Sequence, residues 1–258
     1  MRIFQEWTHL AEGQTLHISL GTLRLHVSRL LHEWQVSQTF ENDDLKSPEC
    51  ALDYCVPTTS PAFRYAVGES RSPLQIIPRL AAMPVVVRPF SPVSIAPDTR
   101  VTIFCSTSLW LELALPGSGK PATHEVPVRK ESETWFGPSP REGELCYAVK
   151  THARLYLGAI SRAHSRVLTC LHVENRSGRT QSIDRINLPV PMLSLFEDDR
   201  GYLCTNDVAV RLEADSSEAE LKLLPRPDSQ LGQMRQVSAP RQQDPVRLIK
   251  RTLSRWFQ

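Results

Sequence analysis

A carboxylate, an imidazole and a guanidinium stand close together in the chain at Glu144, His152 and Arg154. Such a group can pass protons to and from a small polar ligand. No nucleophile or metal completes it. Ser161 and Ser165 follow, but no strand–turn–helix elbow presents either hydroxyl. From residue types alone this is a polar strand end, with a hydrolase or lyase using His152 and Glu144 as the alternative.

Other chemistry-bearing residues fail on spacing. Gly117-Ser118-Gly119-Lys120 ends like a phosphate-binding loop, but Ala114 stands where that motif needs glycine and Pro121 where it needs Ser or Thr. A hairpin loop is expected instead. Cys50 and Cys55 lack the second pair or the histidines of a zinc site. The remaining cysteines sit singly in apolar stretches, where a thiol packs as a small hydrophobe. Glu197-Asp198-Asp199-Arg200-Gly201 masses acids at a turn without the alternation of a calcium loop. Asn175-Arg176-Ser177 spells a glycosylation acceptor and nothing more. His17 and His26 alternate with apolar positions, so they point away from the core, and a hairpin brings them near each other. No metal, cofactor or catalytic residue is expected from these patterns.

The elements that hold these residues are strands. Leu16, Ile18 and Leu20 share a face, Gly21-Thr22 turns the chain, and Leu23, Leu25 and Val27 resume the period. Val85-Val86-Val87 is a β-branched run of the kind covered on both faces. Val167, Thr169, Leu171 and Val173 alternate most cleanly, and Asn175 to Gly178 stops them. Short strands punctuated every ~8–12 residues predict an all-β fold, a two-layered β-sandwich or partly open barrel. The body spans 1–224, in one lobe or in two divided near residue 79. A ligand- or carbohydrate-binding sandwich would expose Trp110 or Trp135 as a stacking platform.

Twenty prolines against eleven glycines suit short strands and stiff connections. No apolar run approaches the ~18 residues of a spanning helix, and the first residues lack the apolar core of a leader. A cytoplasmic protein with reduced thiols is expected. The formal charge of +2 does not call for nucleic acid. Its distribution is uneven. From Arg226 onward seven Lys or Arg face Asp228 and Asp244, a net of +5 that leaves the rest of the chain at −3.

Residues 225–243, rich in Pro, Gln, Ser and Arg, are expected to be a flexible linker. Asp244 caps and Pro245 opens a predicted helix over 244–258. Val246, Ile249, Leu253, Trp256 and Phe257 fall within an arc about 100° wide, flanked by Arg247, Lys250, Arg251 and Arg255. A short basic amphipathic helix is marginal alone in water, so its apolar face must dock on the body, a partner protein or an anionic membrane surface.

Gly143 to Leu155, Val173 to Ser177, Leu188-Pro189-Val190-Pro191 and the strand around Trp34 resemble a family of prokaryotic β-rich proteins, domain of unknown function 432. The likeness runs over most of residues 1–224, with the proline-rich tail outside the family pattern. The family carries no established activity, so the resemblance assigns no catalytic residue. It implies genes placed beside small mechanosensitive channels, hence an accessory or regulatory role peripheral to the inner membrane.

Overall fold

The computed structural model describes residues 7–54, 63–67, 73–139, 141–213, 219–227 and 231–242. Period-two alternation becomes strands throughout. The first are β1 (Trp7–Thr8), β2 (Thr15–Arg29), β3 (Glu33–Asp53), β4 (Phe63–Ala66) and β5 (Leu74–Arg79). Next come β6 (Val85–Pro89), β7 (Val93–Ile95), β8 (Thr99–Ser108), β9 (Trp110–Leu115) and β10 (Ala122–Pro127). Then follow β11 (Ser132–Ser139), β12 (Glu142–Ala153), β13 (Arg166–Arg176), β14 (Gln181–Ile183) and β15 (Ile186–Leu188). The last are β16 (Leu195–Glu197), β17 (Leu203–Thr205), β18 (Val208–Glu213), β19 (Ala219–Leu223) and β20 (Arg235–Ser238). The fold is all-β with a curled, half-barrel sheet. Helical structure among the described residues includes two short 3-10 segments, Leu157–Ala159 and Val190–Met192.

The chain divides into two compact units. The first gathers described residues within Met1–Arg79, Leu109–Lys130 and Ala163–Ser165. Its β2 doubles back at Gly21-Thr22: the Arg29 N–H donates to the Gln14 carbonyl at 2.9 Å, and the Thr15 and Ser28 hydroxyls meet at 2.7 Å. Gly21 takes φ +57°, and a Cβ there would lie 2.8 Å from Ser165 Cβ, so the turn needs glycine. β3 wraps this inner hairpin, pairing residues 34–40 with 23–29 and 49–53 with 15–19. Leu16, Ile18, Leu20, Leu23, Leu25 and Val27 are all buried on one face. A second sheet, ordered β1-β5-β9-β10, supplies Leu111, Leu113 and Val126 to the core. The Trp34 indole N–H reaches the Pro116 carbonyl at 3.0 Å.

The second unit holds the four-stranded sheet β11-β12-β6-β15, the ribbon β14-β7 and a larger sheet built on β13. β13 pairs with β8 along one edge, and along the other with β17 at its start and β18 at its end. Its Val167, Thr169, Leu171 and Val173 are buried in the core. Asn175 ends that row: its amide donates to the carbonyls of Ile95, Ala96 and Arg179, so it is a buried staple rather than an acceptor for sugar. Val85, Val86 and Val87 are all buried, as a strand covered on both faces requires.

One tail expectation changes. Residues 235–238, inside the predicted linker, form β20 against β16, and the Arg241 and Gln242 N–H groups bond to the Pro191 carbonyl. An exposed sheet edge pairs with any chain that brings free N–H and C=O groups, and composition alone does not prevent this. The predicted helix over 244–258 lies outside the described residues, so the fold shown is all-β without it.

Candidate functional site

Strand β13 changes character along the face opposite its core row. Leu168 and Cys170 sit in a small apolar cluster with Phe196 and Cys204, capped by Leu157, Ile160, Leu231 and Met234. Two positions on, His172 and Glu174 face an open concavity of about 490 Å³. Cross-strand register builds its floor. One row reads Lys222, Ala209, His172, Thr102; the next brings Arg211, Glu174 and Arg100 together. Ala209 places only a methyl between Lys222 and His172, so the surface dips there.

His172 is held at both ring nitrogens. Nε2 lies 2.7 Å from Oδ2 of Asp207, whose side chain is 2% exposed, and Nδ1 lies 3.1 Å from the Thr102 hydroxyl. A carboxylate only accepts, so the neutral ring carries its proton on Nε2 and accepts the Thr102 O–H at Nδ1. Carboxylate, imidazole and hydroxyl in series also describe a nucleophile with its base. Acyl transfer further requires free N–H donors for the oxyanion. Here β13 is laddered on both edges and its N–H groups are committed. The series orients the His172 ring.

The electrostatics favour an anion. Arg100 and Arg176 donate to Glu174 Oε1 at 2.7 and 2.9 Å, and Arg211 reaches Oε2 at 3.3 Å. Hydrogen bonds from Arg100, then from Arg176, hold the Glu174 carboxyl down at about 2, so it stays ionised. Lys222 has no ion-pair partner among the described residues. Arg100, Arg211 and Lys222 thus line the concavity, where Glu174 is the one carboxylate among the described lining residues and Glu213 stands 4.0 Å from Arg211. A hollow of about 620 Å³ in the first unit, lined by His9, Gln75, Pro116 and Gly117 among others, has no Asp, Glu, Lys or Arg among the described residues of its wall.

The residues singled out from sequence are placed elsewhere. Glu144 lies near the start of β12 and accepts from the Asn187 amide at 2.7 Å. Arg154 lies past the other end of that strand, its guanidinium 4.9 Å above the Phe90 ring. These two do not converge. His152 pairs with Arg88 through the backbone, and its side chain is outside the described residues. Gly117 to Lys120 is the loop of the β9–β10 hairpin, with the Ser118 N–H on the Val67 carbonyl, so no helix follows to hold a phosphate. Trp135 is 45% exposed and Trp110 is partly buried. Burial pushes the Cys146 and Cys204 thiols up to about 12, and Cys105 higher still. These sulfurs pack. The helix residues Val246, Arg247, Ile249, Lys250, Arg251, Leu253, Arg255, Trp256 and Phe257 lie outside the described residues.

Thr102, His172 and Asp207 escaped sequence reasoning because they come from three distant stretches. The one local signal was polar His172 and Glu174 alternating with Leu171 and Val173, which marks a strand with one wet face.

The sequence profile of a family described as "Protein of unknown function (DUF432)" matches residues 3–257. The chain belongs to that family. No curated protein and no solved structure matches it significantly. The DUF432 match extends through the basic tail, which corrects the expectation that the tail falls outside the family pattern.

Proposed function

We propose that this DUF432 chain is a non-enzymatic accessory or regulatory protein whose second unit binds a small multivalent anion, a phosphate or polycarboxylate. The observation that carries the reading is the convergence of Arg100, Arg211 and Lys222, the last without an ion-pair partner among the described residues, on one concavity. Its size suits a small metabolite. A bound anion sits above Ala209, takes charge-assisted hydrogen bonds from Lys222 and the guanidinium groups, and leaves the His172 ring oriented by Asp207.

The test is calorimetry of the full chain with inorganic phosphate, pyrophosphate and citrate. Binding is expected with pyrophosphate and citrate ahead of phosphate. Lys222→Glu should weaken it about 10–100-fold, the scale of one charge-assisted bond. Ala209→Phe should abolish it by filling the dip while leaving every charge in place. No heat with any of the three at roughly millimolar concentration, or equal affinity in Lys222→Glu, overturns the reading.

The same proposal gives the tail its role. The net charge of +5 from Arg226 onward supports docking of Val246 to Phe257 on a partner protein or the anionic cytoplasmic face of the inner membrane, beside a channel of the mechanosensitive kind. Removing residues 244–258 is expected to move the protein from the membrane or partner fraction into the free pool. An unchanged distribution removes the docking role and leaves the anion site standing.

A further inference from the structure

The outer face of the nested hairpin in the first unit carries a second histidine arrangement, independent of the anion groove. The turn at Gly21-Thr22 sets His17 against His26 with their Nδ1 atoms 2.7 Å apart, ring centroids 4.7 Å apart and planes at 89°. Both rings are partly buried on the face opposite the Leu and Ile row. Beside them in the same cross-strand row stand Ala51 and Ser37, both short side chains. A divalent ion about 2.0 Å from each of two nitrogens in cis positions holds them about 2.8 Å apart. The observed spacing is already close to that, so a small ring rotation aims both lone pairs at one ion.

We propose that His17 and His26 form a two-nitrogen site for a divalent transition metal, Cu(II) ahead of Ni(II) and Zn(II), with water completing the coordination. Imidazole nitrogen suits all three ions, and Cu(II) stands highest in the stability order. No group of three His, Cys, Asp or Glu forms a metal cluster among the described residues. A tetragonal ion that tolerates two protein nitrogens and several waters fits this better than zinc, which takes three or four protein ligands.

The protons balance. In the metal-free neutral pair one Nδ1–H donates to the other Nδ1. The ion takes both Nδ1 lone pairs, and the donor ring's proton moves to its Nε2. His17 Nε2 is buried and makes no hydrogen bond among the described residues. No carboxylate or carbonyl therefore strengthens the ligand from behind, and the affinity expected is on the order of micromolar.

The test titrates the full chain with Cu(II), Ni(II) and Zn(II) by calorimetry and paramagnetic resonance. Expected are one Cu(II) site coupled to two nitrogens, a fall of at least about tenfold in His17→Gln and in His26→Gln, and no change in His32→Gln. In the unmodified chain, Zn(II) should shift the Nδ1 nitrogen-15 resonances of His17 and His26, a measurement that needs no variant to fold. Equal Cu(II) affinity and spectra in His17→Gln and His26→Gln, or Zn(II) shifts confined to other histidines, overturn the proposal.

Discussion

His172 and His26 are each approached to 2.7 Å at one ring nitrogen, but by different chemistry. His172 meets the buried Asp207 carboxylate, and its other nitrogen meets a hydroxyl. Both nitrogens are committed, so the ring is held in one orientation beside the cations of the proposed anion site. His26 meets another imidazole, and one Nδ1–H donates to the other Nδ1. That pair is the one proposed to take a metal ion. A histidine's role here follows from the second atom at hydrogen-bond distance, more than from its exposure or its strand.

The most disruptive way to separate the two sites is Gly21→Val. The added Cβ meets Ser165 Cβ at 2.8 Å and Val128 Cγ1 at 2.9 Å, at a φ of +57°. Overpacking plus backbone strain should cost about 2–4 kcal/mol, read as a lower denaturant midpoint. Copper binding should vanish with the turn, while pyrophosphate binding in the second unit persists below the new Tm. Loss of both sites together would show that they are not independent.

Next in size is Asp207→Asn. Replacing a buried carboxylate that accepts from His172 removes a charge-assisted bond and should lower stability by about 1–3 kcal/mol. The His172 proton is then free to sit on either nitrogen, visible as altered ring nitrogen-15 shifts. Copper binding should be unaffected. If the His172 resonances do not move, Asp207 is not what orients the ring.

A smaller effect comes from pH. His26 and His124 are both held below the ordinary value of 6.5, chiefly by burial. The unfolded chain therefore takes up protons first as pH falls, and stability present above pH 6.5 is lost as pH drops toward the folded values. The Tm should decline from pH 7 to pH 5. The decline should be shallower in His26→Gln and in His124→Gln; an unchanged slope in both would mean other groups govern it. Least of all should be Arg176→Ala, which removes one exposed partner of Glu174 and leaves Arg100 and Arg211 in place. A barely measurable change in Tm is expected, with anion affinity somewhat reduced if Arg176 adds to the field of the groove.

Much of the fold could be read locally. The alternation of Leu16 to Val27 marked the buried face, and Gly21-Thr22 marked the turn that the structure contains. Pro121 and Ala114 were enough to dismiss the phosphate loop. The candidate sites were less accessible. Sequence proximity suggested Glu144 with Arg154, yet twelve-residue β12 carries them to its opposite ends. An extended strand rises about 3.3 Å per residue, so neighbours in sequence become distant in space. Residues 235–238 looked like linker because nothing in their composition tells of the β16 edge waiting for them.

By itself, then, the amino-acid order determined an all-β chain, the inward and outward faces of its strands, and membership of the DUF432 family. All three properties are local or cumulative along the chain. Tertiary structure alone decided that β13 lies between β8 and β18, so that Thr102, His172, Asp207 and Lys222 share one surface. Alternation has a period of two and specifies a face, whereas strand pairing is chosen by burial of the whole core. Which polar residues meet on the wet side is a consequence of that choice, made on the dry side.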